Sequence, residues 1–213
     1  NYSLVDRTDA WCWQQGARLF WHPTEKNLVT YNKSVNNSYK NIFFDIEKNK
    51  IVNITDQPSY DLSNNGEFSI SLNFERLQLL RPGYGYLDKG NAKIGKKILS
   101  DDGIIITDIK SNKSELIIPL SKICEINPGD YMKDCWHYFN HISISPKSTG
   151  FIFLHLWDNK INRSSRLFYY NIITNNIMQL TDNPVSHYSW KNDNEILVTE
   201  ESASRCYYNI YNI

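Results

Sequence analysis

What the chain lacks sets the first limits. Its 213 residues contain no apolar run approaching the ~18 to 20 that a membrane helix needs, so no bilayer span is expected. Charge of neither sign is in excess: 23 Lys and Arg balance 23 Asp and Glu, with no basic block and no acidic tail. Nucleic-acid binding is therefore not expected, because neutralising phosphates takes concentrated Lys and Arg. Only four cysteines occur, Cys12, Cys124, Cys135 and Cys206, none spaced as a CxxC pair or a zinc ribbon. Scattered thiols of this kind point to free, mostly buried side chains in a reducing compartment, the cytoplasm rather than the periplasm. Cys124 and Cys135 flank one loop and are the two that export would pair. NxS/T triplets such as Asn32-Lys33-Ser34 and Asn53-Ile54-Thr55 follow from an Asn-rich composition.

What is present is repetition. Four times a polar stretch leads into a short alternating strand, a tight turn, a second hydrophobic strand and a more exposed third. The turn-centred segments are ARLFWHPTEKNLVTY from Ala17, SYDLSNNGEFSISL from Ser59, HISISPKSTGFIFL from His141 and HYSWKNDNEILVTE from His187. Period-2 alternation, β-branched and aromatic content, and bounding Asn, Gly, Pro and Asp clusters mark the strands. Units over about 17–55, 59–120, 141–182 and 187–213 follow, with residues 2–5 an orphan outer strand, all in one domain over 1–213. A DI or NI ends strand three and a T-D closes strand four. The pattern predicts an all-β chain, a β-propeller of four-stranded antiparallel blades. About four blades lie in this chain. They are read as part of a larger ring, the alternatives being a four-bladed ring closed by the N-terminal segment, a solenoid or a two-sheet sandwich.

Antiparallel pairing puts the first-to-second and third-to-fourth strand turns of each blade on one rim, and the remaining loops on the other. The first rim is uniformly tight (PTEKN, SNNG, PKSTG, KNDN; EKNK, KSNK, ITNN), as residues that tolerate left-handed or type I turns require. The opposite rim holds the long connections: Glu75 to Gly103, Ser121 to His137, and the segment DNKINRSS. Counting back five residues from each tight turn gives Arg18, Ser59, His141 and His187 at repeat-equivalent strand starts on that long-loop rim. Two histidines and an arginine are thus expected to converge on one funnel, with His155, ending a second strand, a further candidate. Trp13, Gln14 and Gln15 offer either a sugar-stacking ring with amide donors or a channel plug. Arg81, Tyr84 and Tyr86 in RPGYGY form either a binding lip or a device for ordering a long loop. Arg166 points inward or makes a surface ion pair. His22, in a tight turn, and His137, in a loop, are expected to be inert.

These residues resemble the TolB-like propeller repeats and, within them, the oligogalacturonate lyases. SPKSTG is similar to a worn SPDG turn; His141, FIFLH and Arg166-Leu167-Phe168 resemble the lyase blade with the catalytic histidine, and SHYSW resembles the H-x-x-W start of the next blade. The likeness runs over about residues 137–200. It implies β-elimination on uronate oligosaccharides, in which Mn²⁺ neutralises the carboxylate and a histidine removes the C5 proton. On that mapping His141 is the base, His187 a metal ligand and Arg166 a carboxylate contact. The Q-x-x-H-x-H segment that supplies the family's other ligands has no counterpart here, and one histidine does not hold a catalytic metal. The leading expectation is therefore a propeller that binds an oligosaccharide or other polar ligand, most plausibly a uronate, on its long-loop rim. It would use His141, His187, Arg18 and the Arg81–Tyr86 loop, with Trp13, Gln15, Tyr84 and His155 among the ligand-binding candidates, and a divalent metal such as Mn²⁺ only on the lyase reading. Alternatives are the metal-dependent lyase and a protein-interaction scaffold.

Overall fold

A computed structural model describes residues 4–213. Fifteen strands form four successive antiparallel meanders. The first contains β1 (Phe20–Trp21), β2 (Leu28–Val35), β3 (Ser38–Asp45) and β4 (Lys50–Thr55); the second β5 (Asp61–Leu62), β6 (Phe68–Ser71), β7 (Gly103–Asp108) and β8 (Lys113–Pro119). The third has β9 (Trp136–Ile144), β10 (Gly150–Asp158), β11 (Arg163–Asn171) and β12 (Asn176–Thr181), and the last β13 (Val185–Asn192), β14 (Glu195–Ser202) and β15 (Arg205–Asn212). In each sheet the spatial order is the chain order, the plan of a propeller blade. The chain is thus all-β, a partial β-propeller of four blades, the last with three strands. Two short helices, α1 (Phe74–Leu80) and α2 (Leu120–Glu125), lie in connections. No helix among the described residues is long and apolar enough to cross a membrane. Leu4 and Val5 belong to no strand, and the remainder of the expected 2–5 strand lies outside the described residues.

The chain packs as two compact units, residues 1–95 with 101–118 and residues 96–100 with 119–213. In the first unit Val29, Tyr31, Ile42 and Phe44 form one apolar cluster, while Phe43, facing the other way, packs with Leu62 and Ile109. That is period-2 alternation converted directly into two buried faces. Asn32 sits between the two sheets of this unit, its amide donating to Ser59 O and the Tyr86 hydroxyl and accepting from Ser59 N and Asn41 Nδ2. All its capacity is used, as a buried polar side chain requires. In the second unit β10 is buried along nearly its whole length, and Phe153 stacks on Phe168 at 5.5 Å.

The DI/NI signature has a structural cause. In the first three sheets it opens a turn, Ile46 to Asn49, Ile109 to Asn112 and Ile172 to Asn175, whose final Asn is left-handed (φ 49°, 54° and 59°). The preceding Asp45, Asp108 or Asn171 accepts a turn N–H through its side-chain oxygen. The isoleucine N–H donates to the carbonyl of the residue just before the second strand, Asn27, Glu67 or Thr149; in the last sheet Ile213 does the same to Asn194. Asn and Asp suit these places because they tolerate φ > 0 and bond their own backbone.

Three expectations about loops change. The Glu75–Gly103 connection begins as α1, capped by Asn73, whose side chain accepts from Arg76 N. Half of the DNKINRSS segment is strand, because β10 and β11 stay paired out to Asp158 and Arg163, which leaves a four-residue loop over 159–162. The β2–β3 and β14–β15 loops are two-residue turns with both residues left-handed, Asn36-Asn37 and Ala203-Ser204. The long connections are those between β6 and β7 and between β8 and β9.

Candidate functional site

In the first unit the segment before β1 meets the loop after α1. Gln14 N donates to Gly83 O (3.1 Å) and Gln15 Nε2 to Tyr84 O (3.1 Å), while Arg18 Nη1 donates to Gln15 Oε1 (3.4 Å). The Arg18 guanidinium lies over Tyr60 (4.4 Å) and Phe20 (4.9 Å), and that of Arg81 over Tyr84 (4.0 Å), whose hydroxyl accepts from Arg81 Nη2. Of the expected ligand-binding residues, Gln15, Arg18, Arg81 and Tyr84 are therefore one connected cluster. Neither arginine has a carboxylate partner among the described residues. Trp13 is no plug: it is 82% exposed, edge-on to Trp11 at 4.9 Å, which is itself 51% exposed.

RPGYGY is held rigidly. Gln78 Oε1 accepts from Gly83 N and Gly85 N, and Tyr86 stacks on Phe74 at 4.4 Å. Gly85 lies so close to α1 that a Cβ there would come 2.0 Å from Phe74 O. Both sequence readings of this loop thus hold together: it is ordered, and its ordering presents Arg81 and Tyr84.

A cavity of about 310 Å³ in the same unit is lined by Asp56, Gln57, Glu75, Lys93, Asp101 and Asp102, among others. Lys93 pairs with Asp101 at 3.0 Å. Burial pushes the Asp102 carboxyl up, against the hydrogen bonds from Asn73 and Gly103 that pull it down. Glu75 accepts from Lys89 N, Asn91 N and Asn91 Nδ2, so it organises the loop. Four carboxylates against one ammonium give this cavity the wrong sign for an anion.

The second unit contains a buried cluster in which two expected residues, His155 and Arg166, join two that sequence reasoning passed over. His155 and Arg166 are opposite one another on β10 and β11, and His137 lies diagonally across on β9, where Trp157 is its direct partner. Arg166 Nε donates to His155 Nδ1 (3.1 Å), the two imidazoles meet at His155 Nε2 and His137 Nδ1 (2.9 Å), and His137 Nε2 reaches Met132 O (3.2 Å). Cys124 Sγ stands 3.8 Å from His155 Nε2. The remaining Arg166 nitrogens donate to Ile123 O, Ile126 O, Asn127 O and Gln179 Oε1. These carbonyls lie at the end of α2, where a helix leaves acceptors unpaired and favours a cation. Arg166 is 1% exposed and all three of its nitrogens are engaged, so it makes neither a surface ion pair nor a substrate contact in this arrangement.

Cys124, His137 and His155 place one donor atom each within 4.8 Å of one another, the only such group of three among the described residues. It does not fit the implied Mn²⁺, which takes oxygen ligands, because the donors are one thiol and two imidazoles. The proton arrangement opposes any divalent ion. Met132 O can only accept and Arg166 Nε–H can only donate, so both imidazoles carry their proton on Nε2. Coordination through His155 Nε2 would move that proton to Nδ1, against the Arg166 N–H.

The other histidines are separate from this cluster's hydrogen bonds. His141 is inside β9, not at its start, and has φ of 50°. With Ile142 it bulges against Phe153, where the β9–β10 register shifts. Arg18 shares the left-handed backbone, with φ of 52°. His187 is exposed on β13, its Nδ1 3.0 Å from Ser186 Oγ, and belongs to no three-residue ligand group among the described residues. His22 accepts turn N–H groups from Thr24 and Glu25 and covers Gly66, a local structural role. His137, expected to be inert in a loop, is a buried strand residue at the centre of the relay.

The class defined by these sheets is the blade-built all-β array. No family model matches the sequence, and neither does any curated protein. Among solved structures the chain is similar to TolB from Acinetobacter baumannii, with 11% identity and a TM-score of 0.47, over 88% of this chain and 38% of that one. It is also similar to an oligogalacturonate lyase in complex with manganese (12% identity, TM-score 0.39, 91% of this chain and 61% of that one). The oligogalacturonate lyase from Vibrio parahaemolyticus gives 12% identity and a TM-score of 0.34, over 89% of this chain and 64% of that one. The chain thus spans less than two thirds of each of these proteins. The fold assignment rests on the sheet topology itself.

Proposed function

We propose that this chain binds an acidic saccharide of the uronate class on the surface formed by Trp11, Trp13, Gln15, Arg81 and Tyr84, with Arg18 behind it. The observation that carries the reading is the pair of arginines without carboxylate partners beside two exposed indoles. A guanidinium takes a carboxylate through two parallel hydrogen bonds, and an indole face packs against the C–H face of a sugar ring. Gln15 and Tyr84 supply groups for hydroxyls. The Gln78 clamp and the close seat of Gly85 on α1 hold the loop before any ligand arrives, which lowers the cost of binding. The carboxylate-lined cavity of the same unit serves as an internal contrast.

Calorimetric titration of the chain with oligogalacturonate at low salt, alongside neutral oligosaccharides of equal length, tests this. Arg81→Gln is expected to weaken oligogalacturonate about tenfold, the size of one charge-assisted hydrogen bond, while Gln57→Trp, which fills the acidic cavity, leaves binding unchanged. Affinity should fall with added salt. Absence of binding, or equal binding by Arg81→Gln and Trp13→Ala, defeats the reading. A protein partner that protects Trp13 when no saccharide binds would favour an interaction scaffold. Elimination chemistry is no part of this proposal, since Arg166 is committed to α2 and His155 and no ligand set surrounds His187 among the described residues.

A further inference from the structure

We propose that Arg166, His155, His137 and the Met132 carbonyl form a one-way hydrogen-bond relay that clips the connection between β8 and β9 onto the third sheet, and that acid opens this clip. The proposal does not depend on the saccharide surface.

Three neighbouring strands each contribute one buried side chain: His137 from β9, His155 from β10 and Arg166 from β11. Together they hold the connection at Ile123, Ile126, Asn127 and Met132, with Cys124 packed against His155. The direction of the relay is set at both ends, by a group that only donates, Arg166 Nε–H, and one that only accepts, Met132 C=O. Each ring between them accepts on Nδ1 and donates from Nε2. Every link is matched when both imidazoles are neutral, and at no other protonation state.

A further proton has two places to go, the lone pairs on His155 Nδ1 and His137 Nδ1, and both already accept a hydrogen bond. Taking it up breaks a link, sets N–H against N–H and puts a second positive charge beside the guanidinium. The groups around the His155 ring are His137, Cys124 from α2, the aromatic rings of Phe139, Trp157 and Phe168, and Arg166, on which Cys124, Tyr131 and Asp182 act electrostatically. Burial, then His137 and Arg166, hold the His155 imidazole well below its ordinary protonation range. The sign follows. Above the ordinary histidine range the clip is at full strength. As pH falls below about 6.5 the open form gains protons that the closed form refuses, and for each ring the open fraction rises about fivefold from pH 6.5 to 5.5, approaching about tenfold per pH unit below that until the depressed value is reached.

Amide exchange of the full chain, read by mass spectrometry at pH 7.5, 6.5 and 5.5 and corrected for intrinsic rates, tests the clip. Segment 120–135 should open at least about fivefold more from pH 6.5 to 5.5, while β2 and β3 keep their protection. His155→Gln keeps the polarity, since Oε1 accepts from Arg166 and Nε2–H donates to His137, but residue 155 no longer titrates; its pH slope should be clearly smaller than the native one, what remains being that of His137. Should that variant fail to fold, imidazole ¹⁵N NMR of the native chain at pH 7.5 decides, with both rings expected neutral and protonated on Nε2. Stoichiometric Co²⁺ should give no thiolate charge-transfer band. A flat pH response in the native chain, an unchanged slope in His155→Gln, a proton on His155 Nδ1, or a cobalt–thiolate band each overturns the proposal.

Discussion

Replacing Arg166 by methionine removes the buried cation and keeps most of the aliphatic stem. Five hydrogen bonds are lost, to Ile123 O, Ile126 O, Asn127 O, His155 Nδ1 and Gln179 Oε1, of which the last, long and also served by Asn127 Nδ2, counts least. At about 1 kcal/mol net for each buried hydrogen bond, the gross loss is about 4 kcal/mol. Part of it is offset, because methionine no longer carries the cost of keeping a guanidinium out of water. A net destabilisation of about 3 kcal/mol is therefore expected. Arg166→Lys discriminates the cause: an ammonium restores the charge but cannot fork to reach the α2 carbonyls and His155 together, so it should recover less than half. Urea unfolding followed by tryptophan fluorescence and far-ultraviolet dichroism measures both variants. A loss below about 1 kcal/mol for methionine, or full recovery by lysine, would refute the fork as the source of the stability.

Gly85→Ala should cost about 2 kcal/mol or more, because its Cβ would meet Phe74 O at 2.0 Å and α1 backbone cannot move aside cheaply. Thermal unfolding together with the oligogalacturonate titration would register both effects, and Gly95→Ala, whose Cβ meets nothing within 4 Å, is the control. Asn32→Leu leaves Ser59 N, Ser59 O and the Tyr86 hydroxyl without their partner and is expected to destabilise by about 3 kcal/mol in the same urea assay; a near-neutral result would contradict the network described.

The sheets were legible because alternation, tight turns and the recurrent DI or NI are local signals, each with a local cause in burial or turn geometry. What escaped was set by departures from regularity. His141 and Ile142 form a bulge, so counting back five residues from Pro146 stopped in the middle of β9 and left WHYFN in a loop. The continuous aromatic run of that segment was the available signal for a longer strand, and with it for His137. The helix α1 carried its own mark in Asn73 followed by Phe74 and Leu77 at helical spacing, hidden inside a long polar connection. Gln15, Arg18, Arg81 and Tyr84 were nominated separately, and the structure joins them through Gly83 and Tyr84 carbonyls, contacts between residues far apart in sequence that no spacing rule encodes. The His137–His155–Arg166 relay is likewise a cross-strand product of register.

In each sheet the isoleucine that follows the third strand donates its N–H within that sheet, to the carbonyl of the residue just before the second strand. A sheet therefore carries its own alignment gauge: a slip of one residue would pull the isoleucine off its carbonyl and turn Asp45, Asp108 or Asn171 to the wrong side of the turn. That isoleucine bond needs no neighbour, but the second turn also touches the first sheet: Ile109 packs with Phe43, its carbonyl accepts from Asn53, and Asn112 bonds Asp56. Register is thus kept inside each sheet while side chains of the turn join one sheet to the next, and the first three sheets share this turn whereas α1, α2 and the buried relay occur once each among the described residues.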